Sequence, residues 1–151
     1  MDSPLIARLK RSEGWRPYLY LDTTGHATIG FGHNLGRVLS ESPVTIAPVN
    51  GISQEIGEQL LHDDVAAVIQ QLESRLVWFQ SMDEVRREVL IELGFNIGTG
   101  KVLSYPVFMD QLERKAYLSA AENLRSWAWY RQVGVGRAEP LCRMLESGVR
   151  E

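Results

Sequence analysis

The stretch SEGWRPYLYLDTTGHATIGFGH, from Ser12 to His33, decides the fold. Gly14 is suited to end a preceding helix, which puts Glu13 at a helix C-terminus. Tyr18 to Leu21 has strand character, Asp22-Thr23-Thr24-Gly25 is turn chemistry, and Ala27 to Phe31 resumes as a strand. Residues 17–31 therefore predict a β-hairpin. Gly30 and Gly32 predict a bulge or a close approach of backbone to a ligand. Two carboxylates, Glu13 and Asp22, and the hydroxyl of Thr28 fall inside this one segment. Cleavage of a sugar–sugar bond needs such a set: one acid to protonate the leaving oxygen, and one carboxylate to handle water or the developing cation.

Each of these residues also has a plainer reading. Glu13 could be an exposed acid on a fraying helix end, where the negative end of the helix dipole makes it a poor choice for stability. The same dipole repulsion, with partial burial, would favour the protonated carboxyl that a general acid needs. Asp22 could serve the turn alone, and Thr28 could be an ordinary strand former. As catalytic groups, Asp22 would stay ionised and Thr28 would hold the attacking water. His33 has no partner at metal-ligand spacing in His26 or His62, so zinc is not expected. A carboxylate on the following helix, Asp63 or Asp64, is its expected partner. Trp15, Trp78, Trp127 and Trp129 are core or sugar-stacking candidates, with core as the default.

Outward from the hairpin the chain turns helical. Asp2 or Ser3 can cap a first helix with Pro4 in its first turn and Leu5, Ile6 and Leu9 as its apolar stripe. Residues 36–52 are loop-rich with two prolines and resist assignment. Ser53 caps a long helix reaching about Ser74, with Ile56, Leu60, Leu61, Val65, Val68, Ile69 and Leu72 near helical spacing. Asp83 opens another helix, apolar nearly all round, which Gly98 and Gly100 stop; such a helix forms the buried centre of a helical lobe. Shorter helices follow near 106–114, 116–126 and 138–148. The expected fold is α+β and mostly helical. A small β-hairpin lobe (about 14–52) and a larger helical lobe (about 75–151, plus helix 3–13) are joined by a long helix (about 53–74). A cleft between the lobes would suit an extended ligand.

The 151 residues suffice for a core without staples, and suggest a single domain. A formal net charge of −3 argues against a nucleic-acid binder. Basic residues at Arg8–Lys10–Arg11 and Arg86–Arg87 fit solvated helix faces. No apolar run is long enough to span a membrane, and the first residues have no apolar stretch of signal-peptide length, so a cytosolic origin is expected. Cys142, the one cysteine, sits in a helical pattern with Leu141, Met144 and Leu145 and reads as a buried or half-buried, inert thiol.

Taken in order, Glu13-Gly14, Asp22 and Thr28-Ile29-Gly30-Phe31-Gly32-His33 resemble the motif of the phage-type lysozymes, the endolysin glycosidases typified by the T-even phage enzyme. The resemblance covers nearly the whole chain. DEVRREVLIELGFNIGTG (83–100) is similar to that family's central helix and its glycine turn, and AAENL (120–124) and WYRQ…GRA (129–138) to its closing helices. The resemblance implies a muramidase acting on bacterial peptidoglycan, with Glu13 as general acid and Asp22 and Thr28 positioning water, with inversion. It implies an ion pair between His33 and Asp64, and an arginine, Arg137, that reaches toward Glu13. It places Phe95, Asn96 and Gly98 on a cleft wall, and Asn34, Phe108 and Asn123 at glycan or peptide contacts. No cofactor or metal is implied, nor stable membrane insertion. The chain would be a monomer, waiting in the cytoplasm of an infected or lysogenic bacterium for a separate holin-type protein to open the membrane.

The chain departs from the family's pattern in several places. It is slightly acidic where the family example is strongly basic, which weakens steering toward an anionic wall. Residues 36–52 do not match. Position 108 is aromatic, and one extra residue falls between Gln132 and Arg137. Two other readings stay open: a catalytically inactive, glycan-binding scaffold of the same fold, and a lytic transglycosylase. The intact Glu–Asp–Thr set argues against both, because a scaffold needs none of it and a transglycosylase needs only the acid.

Overall fold

The computed structural model describes residues 1–22, 25–35 and 51–151, with the backbone alone at Leu21. Thr23 and Thr24 of the turn, and residues 36–50 of the unassigned loop, lie outside them. The chain divides into two compact units, Met1–Ala66 and Ala67–Glu151. Its class is α+β and mostly helical, as the sequence indicates.

The first unit opens with helix α1 (Pro4–Glu13). Ser3, rather than Asp2, caps it by accepting from the Ile6 N–H at 3.3 Å. Asp2 instead pairs with Lys10, which also reaches Glu58 on the next helix at 2.7 Å. Gly14 ends α1 at φ +70 and donates back to the Lys10 carbonyl. Strands β1 (Arg16–Leu21), β2 (Ala27–Gly30) and β3 (His33–Asn34) form an antiparallel sheet in that order. The hairpin was expected; β3, two residues long, was not. Ile29, Leu35 and Ile52 make a small core, with Trp15, Ala27 and Leu60 packed against it. The bare Cα of Gly57 admits the Trp15 indole: a Cβ there would lie 2.1 Å from the ring.

Helix α2 (Gln54–Arg75) carries the chain from one unit into the next. Ser53 caps it through the Ile56 N–H. A single 3-10 turn, Phe79–Ser81, precedes α3 (Glu84–Ile97), which Asp83 caps through Arg86 N. Val89, Leu90 and Leu93 of α3 are fully buried, as a central helix requires. Its charged residues are not all solvated, however. Glu88 and Glu92 are buried, and Glu88 accepts a two-pronged contact from Arg150.

Beyond α3 the helices are α4 (Thr99–Leu103), α5 (Pro106–Glu113), α6 (Tyr117–Arg125), α7 (Ala128–Val133) and α8 (Val135–Ser147). Helix α8 packs on α3, α6 and α7, and α5 packs on α6. Two of these differ from expectation. Gly98 does stop α3, but its φ of +89 turns the chain straight into α4, so Gly100 lies inside a helix instead of ending one. Helix α7 is a six-residue helix that apolar spacing did not reveal, although the resemblance of WYRQ (129–132) to a closing helix pointed to it.

The basic clusters are a second correction. Arg8 is buried. Arg86 spans the end of α8, donating to the Leu145 and Glu146 carbonyls at 2.6 Å each, with its guanidinium 3.8 Å from the Tyr117 ring centroid. A cation at a helix C-terminus is favoured by the dipole, and here it also satisfies terminal carbonyls. Cys142 is buried in α8, and burial pushes its thiol up to about 12. Among the described residues no helix is long and apolar enough to cross a membrane.

Candidate active site

Glu13 is the last residue of α1, half-buried, where Gly14 turns the chain out of the helix. Its carboxyl lies against the turn between β2 and β3. A Cβ built on Gly32 would stand 2.7 Å from Glu13 Oε2, 3.1 Å from Cδ and 3.2 Å from Cγ. Gly32 also has φ +71, a conformation that side-chain-bearing residues rarely adopt. The close approach expected at these glycines is therefore to the protein's own groups: to Glu13 at Gly32, and to Ile52 and the Gly57 backbone at Gly30.

Asp22 follows β1, where both its side chain and its backbone are bonded to residues beyond the turn. Its Oδ1 accepts from His26 N at 2.8 Å, its own N–H donates to His26 O at 2.9 Å, and Gly25 N–H donates to its carbonyl at 3.0 Å. The His26 ring stands 3.8 Å from the same Oδ1, on an exposed side. Asp22 thus has the turn role of its plainer reading, and that role holds its carboxylate at a set place.

Thr28 sits on the central strand and is 3% exposed. Its hydroxyl donates to the His26 carbonyl at 2.9 Å. In the register Thr28 faces Tyr20 on one side and Asn34 on the other, so the three side chains share one face of the sheet. Asn34, expected at a glycan contact, is thereby a direct neighbour of Thr28.

Tyr20 was missed by the sequence reading. Its phenol is pushed up, first by burial and then by the charge of Glu13, with Arg16 opposing and Asp22 adding. One ring therefore lies within the fields of both carboxylates. The Arg16 guanidinium covers it, 4.4 Å from the ring centroid. Strand alternation was the available signal for Tyr20, two positions before Asp22; the Arg16 contact was not readable that way, because the register shifts between Arg16 and Tyr20.

Of the two carboxylates expected near His33, Asp64 is the partner, with Nδ1 and Oδ2 2.8 Å apart. Asp63 accepts from Gln59 on the exposed side of α2. The His33–Asp64 pair ties β3 to α2, and His33 is buried.

The other expected residues lie in the second unit. Phe95 and Gly98 are half-buried, at the end of α3 and at its cap. Asn96 accepts from the Trp129 indole at 2.8 Å. Asn123 donates to Gln111 at 3.0 Å and accepts from the Trp127 indole at 3.2 Å, so its amide is oriented from both sides. Arg137 is half-buried on the first turn of α8. Phe108 is corrected: it is fully buried, edge-on to Trp127 at 4.8 Å, and offers no surface to a glycan. Trp127 and Trp129 are core residues, the default reading. Among the described residues no cluster of three or more His, Cys, Asp or Glu could hold a metal ion.

Comparison with known proteins agrees with the motif. The family model described as phage lysozyme matches residues 10–138. A probable T4-type lysozyme of Dictyostelium discoideum is 23% identical, over 98% of this chain and 96% of its own length. The endolysin of Salmonella phage P22 is 34% identical over 81% of this chain and 79% of its own. The pre-baseplate central spike protein Gp5 of Enterobacteria phage T4 is 27% identical over 93% of this chain, which spans 27% of that protein.

Proposed function

The chain belongs to the phage lysozyme family, and from that premise we propose that it is a muramidase, hydrolysing the β-1,4 bond between N-acetylmuramic acid and N-acetylglucosamine in peptidoglycan. The observation that carries the reading is the arrangement in the first unit. Glu13 is pressed against Gly32, Asp22 is held by its turn, and Tyr20, facing Thr28 across the sheet, feels both carboxylates.

In this mechanism Glu13 gives its proton to the glycosidic oxygen as the bond to the anomeric carbon breaks. Asp22 orients a water on the opposite face and takes its proton as it attacks. The Thr28 proton is committed to the His26 carbonyl, so toward that water the hydroxyl can act only as an acceptor. That fixes which way the water points. Inversion requires roughly 6.5–9.5 Å between the two carboxyls, the room that one water needs. Asn34, Phe95, Asn96, Gly98 and Asn123 would contact the glycan or its peptide. His33–Asp64 would hold the sheet to α2, and Arg137 would help set the charge of Glu13. No cofactor or metal takes part. The chain acts as one domain and as a monomer, from the cytoplasm of an infected or lysogenic bacterium, once a separate holin-type protein has opened the membrane.

Turbidity loss of outer-membrane-stripped cell walls, comparing wild type with Glu13→Gln and weighing the released fragments, tests this. The expected outcome is clearing by wild type, reducing muramic ends, and at least a ~10³-fold loss in the folded variant, as for removal of an essential proton donor. Fragments lighter by one water would convert the reading to a lytic transglycosylase. Equal inactivity of both proteins on several wall types would leave a glycan-binding scaffold.

A further inference from the structure

We propose that Gly32 is a positioning residue for Glu13: the bare Cα of the β2–β3 turn is the seat that fixes the carboxyl in its working position. The inference rests on reading Glu13 as the general acid.

A glutamate side chain at the last residue of a helix has several rotamers open to it, whereas proton donation needs one. Here the carboxyl group and its neighbouring methylene all crowd one glycine, so closely that a methyl could not be added without displacement. The turn is poorly placed to retreat, because it is held on both sides of Gly32. Phe31 is buried, its ring 5.0 Å from that of Trp15, with the Lys10 ammonium 5.6 Å from its centroid. His33 is buried and bound to Asp64 at 2.8 Å. The part that yields to a methyl is therefore the flexible end of Glu13. Positive φ alone does not account for this contact. Gly134 has φ +85 with nothing within 4 Å of an added Cβ.

This separates two effects that a structural role would keep together. Replacing either glycine by alanine strains the backbone, but only Gly32→Ala moves the acid. The experiment compares Gly32→Ala and Gly134→Ala in the intact chain on a soluble peptidoglycan oligomer, with Tm and the 13C carboxyl resonance of Glu13. Both variants are expected to lose about 3–10 °C in Tm, the ordinary consequence of such strain. Only Gly32→Ala should lose about 10²-fold in kcat, with KM nearly unchanged. Only in it should the Glu13 resonance move. A Gly32→Ala variant with the kcat and the Glu13 resonance of Gly134→Ala overturns the seat and leaves the muramidase reading intact. So does a far larger Tm loss than the control shows, or an effect confined to KM. If wild type is inactive, the muramidase reading falls on its own, and the resonance still decides whether Gly32 seats the carboxyl.

Discussion

In Met1–Ala66 Glu13, Trp15 and Tyr18 sit against bare glycine backbone, whereas in Ala67–Glu151 arginines clamp Glu139, Glu146 and Glu88. Among the described residues, Gly14, Gly25, Gly30, Gly32 and Gly51 of the first unit have positive φ, against Gly98, Gly134 and Gly148 of the second. The difference lies in what those glycines touch. In the first unit Gly32 meets Glu13, and Gly51 meets the Pro17 carbonyl and the Tyr18 ring; Gly57, a helical glycine outside that set, meets the Trp15 indole. In the second, Arg125 bridges Glu139 and Glu146 while Tyr130 donates to Glu139. Arg150 grips the buried Glu88. A steric seat is indifferent to pH and salt; a charge network depends on both. The first unit has charge pairs too, Lys10 with Asp2 and Glu58 and His33 with Asp64, but its proposed acid, Glu13, rests on a steric seat.

The contrast breaks most visibly at Gly57. Alanine is ordinarily better than glycine in a helix by about 1 kcal/mol. At position 57 its Cβ would overlap two Trp15 ring atoms, at 2.1 and 2.7 Å. Gly57→Ala should therefore lose about 2–3 kcal/mol, the cost of overpacking, read by urea unfolding. A gain in stability would mean that the first unit tolerates filled seats.

Glu139 sharpens the other side by a smaller amount. Hydrogen bonds from Arg125 and then Tyr130 hold its carboxyl at about 2, below the ordinary 4.5. A depressed carboxylate contributes stability that is present above the unfolded value and lost as pH falls through the folded one. Glu139→Gln should therefore cost about 1–2 kcal/mol at neutral pH, a normal sum for hydrogen bonds to a charged group. Its deficit against wild type should shrink between pH 4.5 and about 2. Urea midpoints across that window test it, and a constant deficit would count against a charge-held unit.

The smallest effect is expected at Lys115, which has φ +60 just past the end of α5. The Lys115 N–H donates to Leu112 O and the Ala116 N–H to Gln111 O, the paired bonds of a helix end normally closed by glycine. Lys115→Gly should gain about 0.5–1 kcal/mol, seen as a higher urea midpoint. Glycine would then stabilise the helical unit by relieving strain at a turn, where in the first unit its value lies in the room it leaves.

What was legible in the sequence follows the same division. Ser3, Ser53 and Asp83 announced their helices because capping is local chemistry. Spacing along one helix limited the His33 partner to Asp63 or Asp64, whereas the Glu13–Asp22–Thr28 set was proposed from its ordered match to a family motif. β3 was too short to carry a period. Helix α4 was hidden because Gly98 and Gly100 read as stops, when only the first of them turns the chain. The burial of Arg8 and Phe108, the cover of Arg16 on Tyr20 and the seat at Gly32 all depend on elements meeting in space, which no local pattern encodes.

Arg86 has a consequence for the order of folding. It stands on the first turn of α3, yet closes the end of α8, 59 and 60 residues further along. Such a contact forms only after the intervening chain has been gathered, because loop closure must precede it. A contact of this separation is expected to form late, and it would then act as a latch. Its strength sets how long the helical unit stays shut more than how fast it closes.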